Sequence, residues 1–502
     1  MSWAGFEQRA SRLAGALRQR GVSTGDVIGT YLFNCPEYLE VFFGALKIRA
    51  VPANINYRYT SDELLALVNN SEAKVLFYDA TLRERVASIT DRVPGLLLVE
   101  VGDAVESPVR GAVAYEDMLA DADPAARIWR DEDDVFLAYT GGTTGLPKGV
   151  LTRIGLMAEY SLWFRDMFFG ERDASSPLDY VAQLIADGTQ AAVLPASPLM
   201  HGTGLAFASL PALCSGGHVI TLPSQRFDAH ELLDTVQAGK VAVVAIVGDA
   251  FALPIVRGLD AGRADGSRYD VGSVRVICSA GVAWTAAVKE RLLEHMPDAM
   301  LVDVCGATEG LAYGFSQVRS GDEVSTANFQ AMQGLKALAP DGTQLPRGEI
   351  GLLAAPTTAS GYHRDPKASA GTFVLIDDVL HGMPGDLGRI EADGSVTLIG
   401  RGVTTINTGG EKVFPTEVEE AIRAHPGVDD CLVLGIPDER FGEVVAALVV
   451  GDIDIAADDI TSTVHRSLAR YKAPRRIRIV EEIPRMPNGK VDYPAATKLA
   501  SR

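Results

Sequence analysis

An α/β fold, with a large N-terminal domain of β-sheets covered by helices and a smaller α+β unit at the C-terminal end, is what this sequence predicts. Three observations carry that expectation. Short apolar runs alternate with amphipathic segments through the first eighty residues, the pattern of strands joined by packing helices in a largely parallel sheet. The runs at 241–247 and 274–279 are rich in β-branched residues, as buried strands are. Beyond residue 416 the order changes to helix, two strands, helix and strand, which describes a small α+β domain of about 100 residues. With 47% apolar residues in a chain of 502, there is core for about three compact units.

Taken in order, Phe6, Ala10, Leu13, Ala14 and Leu17 recur at helical spacing, and Gly21 should end that helix. Strands follow at 27–33, 50–54 and 74–78, with helices over 36–49 and 61–69 between them. The aromatic-rich stretch 161–186 has no clean period and is assigned to no element. Asp249 reads as a helix N-cap closing the strand 241–247. Residues 388–400 form a hairpin turning at Asp393-Gly394. Thr416 and Glu419 read as a capping box that opens a helix carrying Val418, Ala421 and Ile422 on one face. Strands at 428–436, 444–450 and 475–483 and a helix over 458–471 complete the chain.

A formal charge of -19 argues against nucleic acid or an anionic membrane as partner, so any polyanionic substrate needs a local positive site. Cys35, Cys214, Cys278, Cys305 and Cys431 have no CxxC or ligand spacing, which fits reduced thiols in a cytoplasmic protein, without a metal cluster or disulfide. The N-terminus has no signal-peptide pattern. The most apolar windows are interrupted by Pro195, Pro198, Pro211, Asp249 and Pro254 before they reach the ~20 residues of a membrane span. A soluble protein is expected.

Tyr139-Thr-Gly-Gly-Thr-Thr-Gly-Leu-Pro-Lys-Gly149 gathers three threonines, four glycines and a lysine into one short turn after the strand-like run 135–139. Glycines let backbone N–H groups face an anion, the hydroxyls of Thr140, Thr143 and Thr144 donate, and Lys148 adds a point charge. A ligand-free hairpin turn needs glycine but not three threonines and a lysine. The run is not a Walker loop, because Pro147 precedes the lysine and Gly-Val-Leu follows it. It resembles the phosphate loop of the adenylate-forming superfamily of acyl-CoA synthetases, aryl-CoA ligases, luciferases and peptide-synthetase adenylation domains.

Further motifs of that superfamily have counterparts downstream, in order. The resemblance implies ATP binding by Thr140, Gly141, Gly142, Thr143, Thr144, Gly145 and Lys148. Pro198-Leu-Met-His-Gly-Thr-Gly204 matches the segment at the acyl pocket, with His201 as a gate and Gly202, Gly204 and Gly248 leaving volume for the acyl group. A core histidine satisfied by a carbonyl is the other reading of His201. Gly281, Val282 and Ala283 stand where relatives hold adenine. Val302-Asp-Val-Cys-Gly-Ala-Thr-Glu309 resembles the Tyr-Gly-x-Thr-Glu signature, with Gly306 and Ala307 at the nucleotide, Thr308 on a phosphate and Glu309 holding Mg²⁺; Cys305 replaces the tyrosine that usually stacks on adenine. Asp386, in Pro-Gly-Asp, matches the ribose-binding aspartate, and Arg401 the Gly-Arg at the domain boundary.

The resemblance divides the chain into an adenylation domain, 1–400, and a mobile small domain, 401–502, with a hinge at 401–404 where Val403 and Thr404 replace the usual polar residues. Thr408, Gly409, Gly410 and Glu411 belong to the loop of the thioester step, and Lys490, in Pro484-Arg-Met-Pro-Asn-Gly-Lys, to adenylation. Implied is an AMP-forming acyl-CoA synthetase that uses ATP, Mg²⁺ and CoA to activate a carboxylic acid, with a homodimer as one assembly option. Ile246-Val-Gly-Asp-Ala250 and Ile406-Asn-Thr-Gly-Gly-Glu-Lys-Val-Phe-Pro415 resemble actinobacterial synthetases for steroid side-chain and other bulky acids. Alternatives are a medium-chain or aryl acid CoA ligase, an adenylating enzyme loading a carrier protein, and an inactive nucleotide binder. The last is disfavoured by the presence of Lys148, Glu309, Asp386 and Lys490 together.

Overall fold

The computed structural model describes residues 1–102, 109–140, 147–263, 265–281, 284–310, 312–325, 328–339, 341–401, 406–413, 415–451, 455–484 and 493–502. Three sheets organise them. An eight-stranded sheet runs in the order Ala359–Tyr362, Lys148–Arg153, Val135–Thr140, Val51–Asn54, Val27–Tyr31, Val75–Asp79, Leu97–Val101 and Val113–Ala114. Its strands from Val135–Thr140 outward are parallel, whereas Lys148–Arg153 and Ala359–Tyr362 pair antiparallel.

The second sheet has thirteen strands and changes character at its middle. Ala192–Pro195, Val241–Ile246, Val276–Ala280 and Met300–Cys305 are parallel neighbours. From Gly314–Val318 onward the pairing is antiparallel. The expectation of a largely parallel sheet therefore holds for the first sheet, where six of the eight strands run parallel, and for five strands of the second. The third sheet, of five strands between Ile406 and Ile479, is the core of a small C-terminal α+β domain, packed under the helices Pro415–Arg423 and Ala457–Ser467.

Most elements lie where the apolar periodicity puts them. Trp3–Gln19 is the first helix, its Leu13, Ala14 and Leu17 fully buried, and the chain turns at Gly21 with a φ of 80°. The unassigned stretch 161–186 falls on two helices, Ile154–Phe169 and Pro177–Ala186, and the link 170–176 between them. Its aromatic residues defeat the period because they face several neighbours: Phe164 packs on Phe207 at 4.6 Å and Trp163 on Phe315 at 5.2 Å.

Two capping assignments are corrected. Asp249 lies inside the helix Gly248–Ala261 and accepts from the backbone N–H of Thr285, so it ties two helices together rather than capping its own. Thr416 lies inside the helix Pro415–Arg423, and Glu419 reaches sideways to accept from the N–H of Val433 at 2.9 Å. In both cases the carboxylate pairs with a backbone donor on another element, which would otherwise lose its partner.

Two asparagines hold the large domain's halves in register. Asn34 donates to the carbonyls of Pro195 and Ser197, both at 3.0 Å, and accepts from the N–H of Leu199 at 2.7 Å. Asn54 accepts from the N–H of Tyr139 and donates to the carbonyl of Met200. Segment 195–200 thus reaches across from the second sheet and is pinned to the first. Asn34→Ala would leave three backbone groups without partners, and we expect a loss of about 2 kcal/mol or more in urea-unfolding stability; a change within about 0.5 kcal/mol would refute the pinning role.

Candidate active site

The site lies at the C-terminal ends of the parallel strands of the second sheet, where such sheets open a crevice. Gly281, with a φ of 99°, follows Val276–Ala280, and Gly306, Ala307 and Thr308 follow Met300–Cys305. Together with Thr140, His201 and Gly202 they line a cavity of about 210 Å³. Its apolar wall is formed by Phe136, Ala138, Met157, Leu205, Phe207 and Val304. Residues Leu205–Ser209 form a π-helical turn, which sets both Ala206 and Phe207 on the cavity wall.

The glycines of the 202–204 segment differ. A Cβ on Gly202 would meet nothing within 4 Å, so this residue does leave open space. Gly204 does not line the cavity: a Cβ there would sit 2.5 Å from the carbonyl oxygen of Pro198, so its glycine is required by the close approach of the 197–198 backbone. Gly248 is likewise off the wall, with a φ of 48° and its N–H donated to Ser279 Oγ, while its neighbour Val247 lines the cavity.

A further part of the cavity wall comes from the small domain. Ile406–Thr408 and Glu411–Val413 form a hairpin whose turn is Gly409-Gly410, with φ of 58° and 85°. Two consecutive positive φ values suit a tight two-residue turn and need glycine. The tip enters the cavity so closely that a Cβ on Gly410 would lie 2.6 Å from Val247 Cγ1. Thr408, buried, pairs with Glu411 across the hairpin.

Glu411 is buried, and its partners all come from the large domain. Arg58 Nη1 donates to Oε1 at 3.0 Å, Asn56 Nδ2 to Oε2 at 3.1 Å, and His201 Nε2 lies 3.5 Å from Oε1. Burial works to raise the pKa of this carboxyl, but His201, Arg58 and Asn56 outweigh it and hold it at about 2. His201 is half-buried and faces a carboxylate, so the alternative of a core histidine satisfied by a carbonyl does not describe it.

Two further predicted residues converge on Tyr362, which the motifs did not indicate. Its hydroxyl donates to Glu309 Oε1 at 2.8 Å, and the ammonium of Lys148 lies 5.1 Å from its ring centroid. Glu309 is buried, with its backbone carbonyl accepting from Thr357. Asp386 accepts from the hydroxyl of Tyr313 at 2.5 Å and is the direct cross-strand neighbour of Arg401. Cys305 is buried beside Tyr313, and burial raises its thiol pKa, so it is packing rather than a nucleophile. Gly141, Gly142, Thr143, Thr144, Gly145, Val282, Ala283, the hinge at 402–404 and Lys490 lie outside the described residues.

The donor set suits a magnesium–nucleotide. Mg²⁺ takes one or two protein carboxylates and completes its shell with phosphate and water oxygens, and Glu309 offers one buried carboxylate held by Tyr362, whose ring Lys148 also meets. Asn54, Asn56, Tyr59 and Tyr471 also line the cavity. The one sequence signal for the first three is the polar run Asn54-Ile-Asn-Tyr-Arg-Tyr59 at the end of an apolar strand, where a crevice is expected.

Residues 1–363 match the family model of the AMP-binding enzyme, and residues 417–490 that of the AMP-binding enzyme C-terminal domain. The chain belongs to the AMP-binding enzyme family. Its class there is the AMP-forming acyl-CoA synthetase, as the motif order implied, with ATP, Mg²⁺ and CoA as reaction partners. It is 34% identical to a 3-oxocholest-4-en-26-oate–CoA ligase of Rhodococcus rhodochrous, over 98% of this chain and 90% of that one. It is 37% identical to the medium-chain acyl-CoA ligase Mig of Mycobacterium avium, over 97% and 91%. The amide bond synthetase McbA of Marinactinospora thermotolerans shares the fold, with a TM-score of 0.80 at 21% identity over 100% of this chain and 95% of that one. No helix among the described residues is long and apolar enough to cross a membrane.

The carboxyl of Glu411 titrates lower in the folded protein than its ordinary 4.5. Its stabilisation is therefore complete above pH 4.5 and disappears as pH falls towards 2. Glu411→Gln should cost on the order of 3 kcal/mol at pH 7, and the gap to wild type should narrow from pH 5 to pH 3 in urea titrations. A gap independent of pH would contradict the buried-ion account.

Proposed function

We propose that the chain activates a bulky apolar carboxylic acid, of the steroid side-chain kind, and transfers the acyl group to CoA. The observation that carries this reading is one cavity lined by Thr140, His201, Gly281 and Thr308 of the large domain and by Gly410 and Glu411 of the small one. In the first step a carboxylate oxygen bonds to the α-phosphorus of ATP, and the bond to the leaving pyrophosphate breaks. In the second the CoA sulfur bonds to the acyl carbon, AMP leaves, and the thiol proton passes to solvent.

A carboxylate is a poor acylating agent, so joining it to AMP supplies the leaving group, and the protein's work is mainly to position anions and offset their charge. Glu309 would hold Mg²⁺, which supplies charge neutralisation at the phosphates when bound. Lys148, Thr140 and the glycine-rich turn would bind phosphate, Asp386 and Arg401 the ribose side, and Gly281 the base. The small domain, residues 401–502, would turn on a hinge at 401–404, presenting Lys490 for adenylation and the 408–411 tip for the thiol step. The apolar wall and the open space at Gly202 support an acyl group of some bulk, and the named activities of the two ligases above support a steroid or medium-chain acid. Five free cysteines support a cytoplasmic location; a homodimer is to be tested by sedimentation.

Two experiments test the reading. Lys490→Ala should lower pyrophosphate release from acid plus ATP by on the order of 10²–10³, yet form thioester from supplied acyl-adenylate and CoA near the wild-type rate; a parallel fall in both would overturn the two-arrangement scheme. Gly202→Leu should lower kcat/KM for a steroid side-chain acid by about tenfold or more relative to a short acid. Equal losses across acid sizes would remove the acyl group from this wall.

A further inference from the structure

Away from the reacting groups, a second set of buried charges joins the two domains. Lys472 Nζ donates to Glu63 Oε1 at 2.7 Å and to Glu417 Oε2 at 2.8 Å. Glu63 belongs to the large domain, in the first turn of the helix Ser61–Ser71; Lys472 and Glu417 belong to the small one. All three side chains are at least 91% buried, with exposures of 9%, 4% and 4% for Glu63, Lys472 and Glu417.

We infer that Lys472 is a positioning residue for the thiol step, bridging Glu63 to Glu417 so that the 409–411 hairpin tip enters the cavity in one register. The inference rests on the two-step reading above. Lys472 and Glu417 are already a pair within the small domain, so Glu63 is the partner met only when the domains dock this way. The bridge also connects directly with the cavity wall. The ammonium lies 5.5 Å from the ring centroid of Tyr59 and 5.9 Å from that of Tyr471, both of which line the cavity. Arg58, which holds Glu411, lies 5.8 Å from the ring of the same Tyr471.

Glu63 is also fully committed on its other side. Its Oε2 accepts from the N–H of Thr60 at 2.9 Å, completing a capping box. An unmatched carboxylate at this depth would be costly, so the docked arrangement depends on the ammonium arriving. Burial works to lower the lysine's pKa, but the two carboxylates outweigh it and raise it, so the ammonium stays charged across the neutral range.

Glu63→Gln isolates the contact with little change in shape. The amide has only one acceptor oxygen, so its NH₂ must face either the ammonium of Lys472 or the N–H of Thr60. We expect thioester formation from supplied acyl-adenylate and CoA to fall about tenfold or more, while pyrophosphate release from acid plus ATP stays within twofold of wild type or rises. A fall in both half-reactions together, or in neither, would overturn the positioning role. Hydrogen exchange on the full-length protein without substrates gives a readout independent of the assigned reaction. Amides at 55–60 and 408–411 should lose protection in Glu63→Gln while the strands Val241–Ile246 and Val276–Ala280 keep theirs. Unchanged protection at the interface would overturn the inference even if the enzyme proved active, and lost protection would support it even if no acid were found to react.

Discussion

The carboxylate of Glu411 is the constraint around which the active cavity closes. A buried charge must be met by hydrogen-bond donors and opposite charge, and this one sits on a hairpin tip with no cationic partner of its own domain described beside it. Its donors, Asn56 and Arg58, and its histidine neighbour, His201, all belong to the other domain. The consequence is geometric. Satisfying Glu411 brings Gly410 against Val247 and turns an open crevice at the strand ends into a cavity walled by both domains.

His201 can meet that carboxylate only because its own segment is fixed from behind. Asn34 and Asn54 supply the side-chain hydrogen bonds that hold 195–200 against the first sheet, and Asn54 also holds the strand that leads into the glycine-rich turn. A single amide thereby relates the start of that turn to the 195–200 segment beside the cavity. On the opposite side, Tyr362 relates Glu309 to Lys148 through its hydroxyl and its ring face. It does so from the strand Ala359–Tyr362, which pairs with the strand carrying Lys148.

Much of this was legible in the sequence, and what was missed has a common cause. Glycine positions, strand runs and the ordered motifs are local signals, and they located Thr140, His201, Gly281, Gly306, Thr308 and the 408–411 tip, all but Thr408 and Gly409 on the wall of one cavity. Contacts that depend on distant segments left no local trace. Tyr362, Asn56, Arg58 and Lys472 act through partners far away in the chain, and Asp249 and Glu419 looked like caps because their true partners, Thr285 and Val433, lie on other elements. Gly204 misled for the same reason: a glycine that makes room for a ligand and one that makes room for the carbonyl of Pro198 read alike until the backbone is folded.

The chemistry of the domain interface suits the joint that the two-step reading requires to open. Large apolar faces would be costly to expose to water at every separation, by roughly 25 cal/mol for each Å². Ionic groups lose hydration on docking and regain it on parting, so a buried ion pair contributes little net stability while remaining strict about geometry. Glu63–Lys472 is of this kind, and Arg58–Glu411 joins a buried carboxylate to a part-exposed guanidinium; each is satisfied only when donors and acceptors from both domains are in place. In the two-step reading, such an interface lets the small domain leave at low cost yet return to a single register. That register is the one in which the glycine tip, which has no side chain to obstruct it, reaches the acyl group.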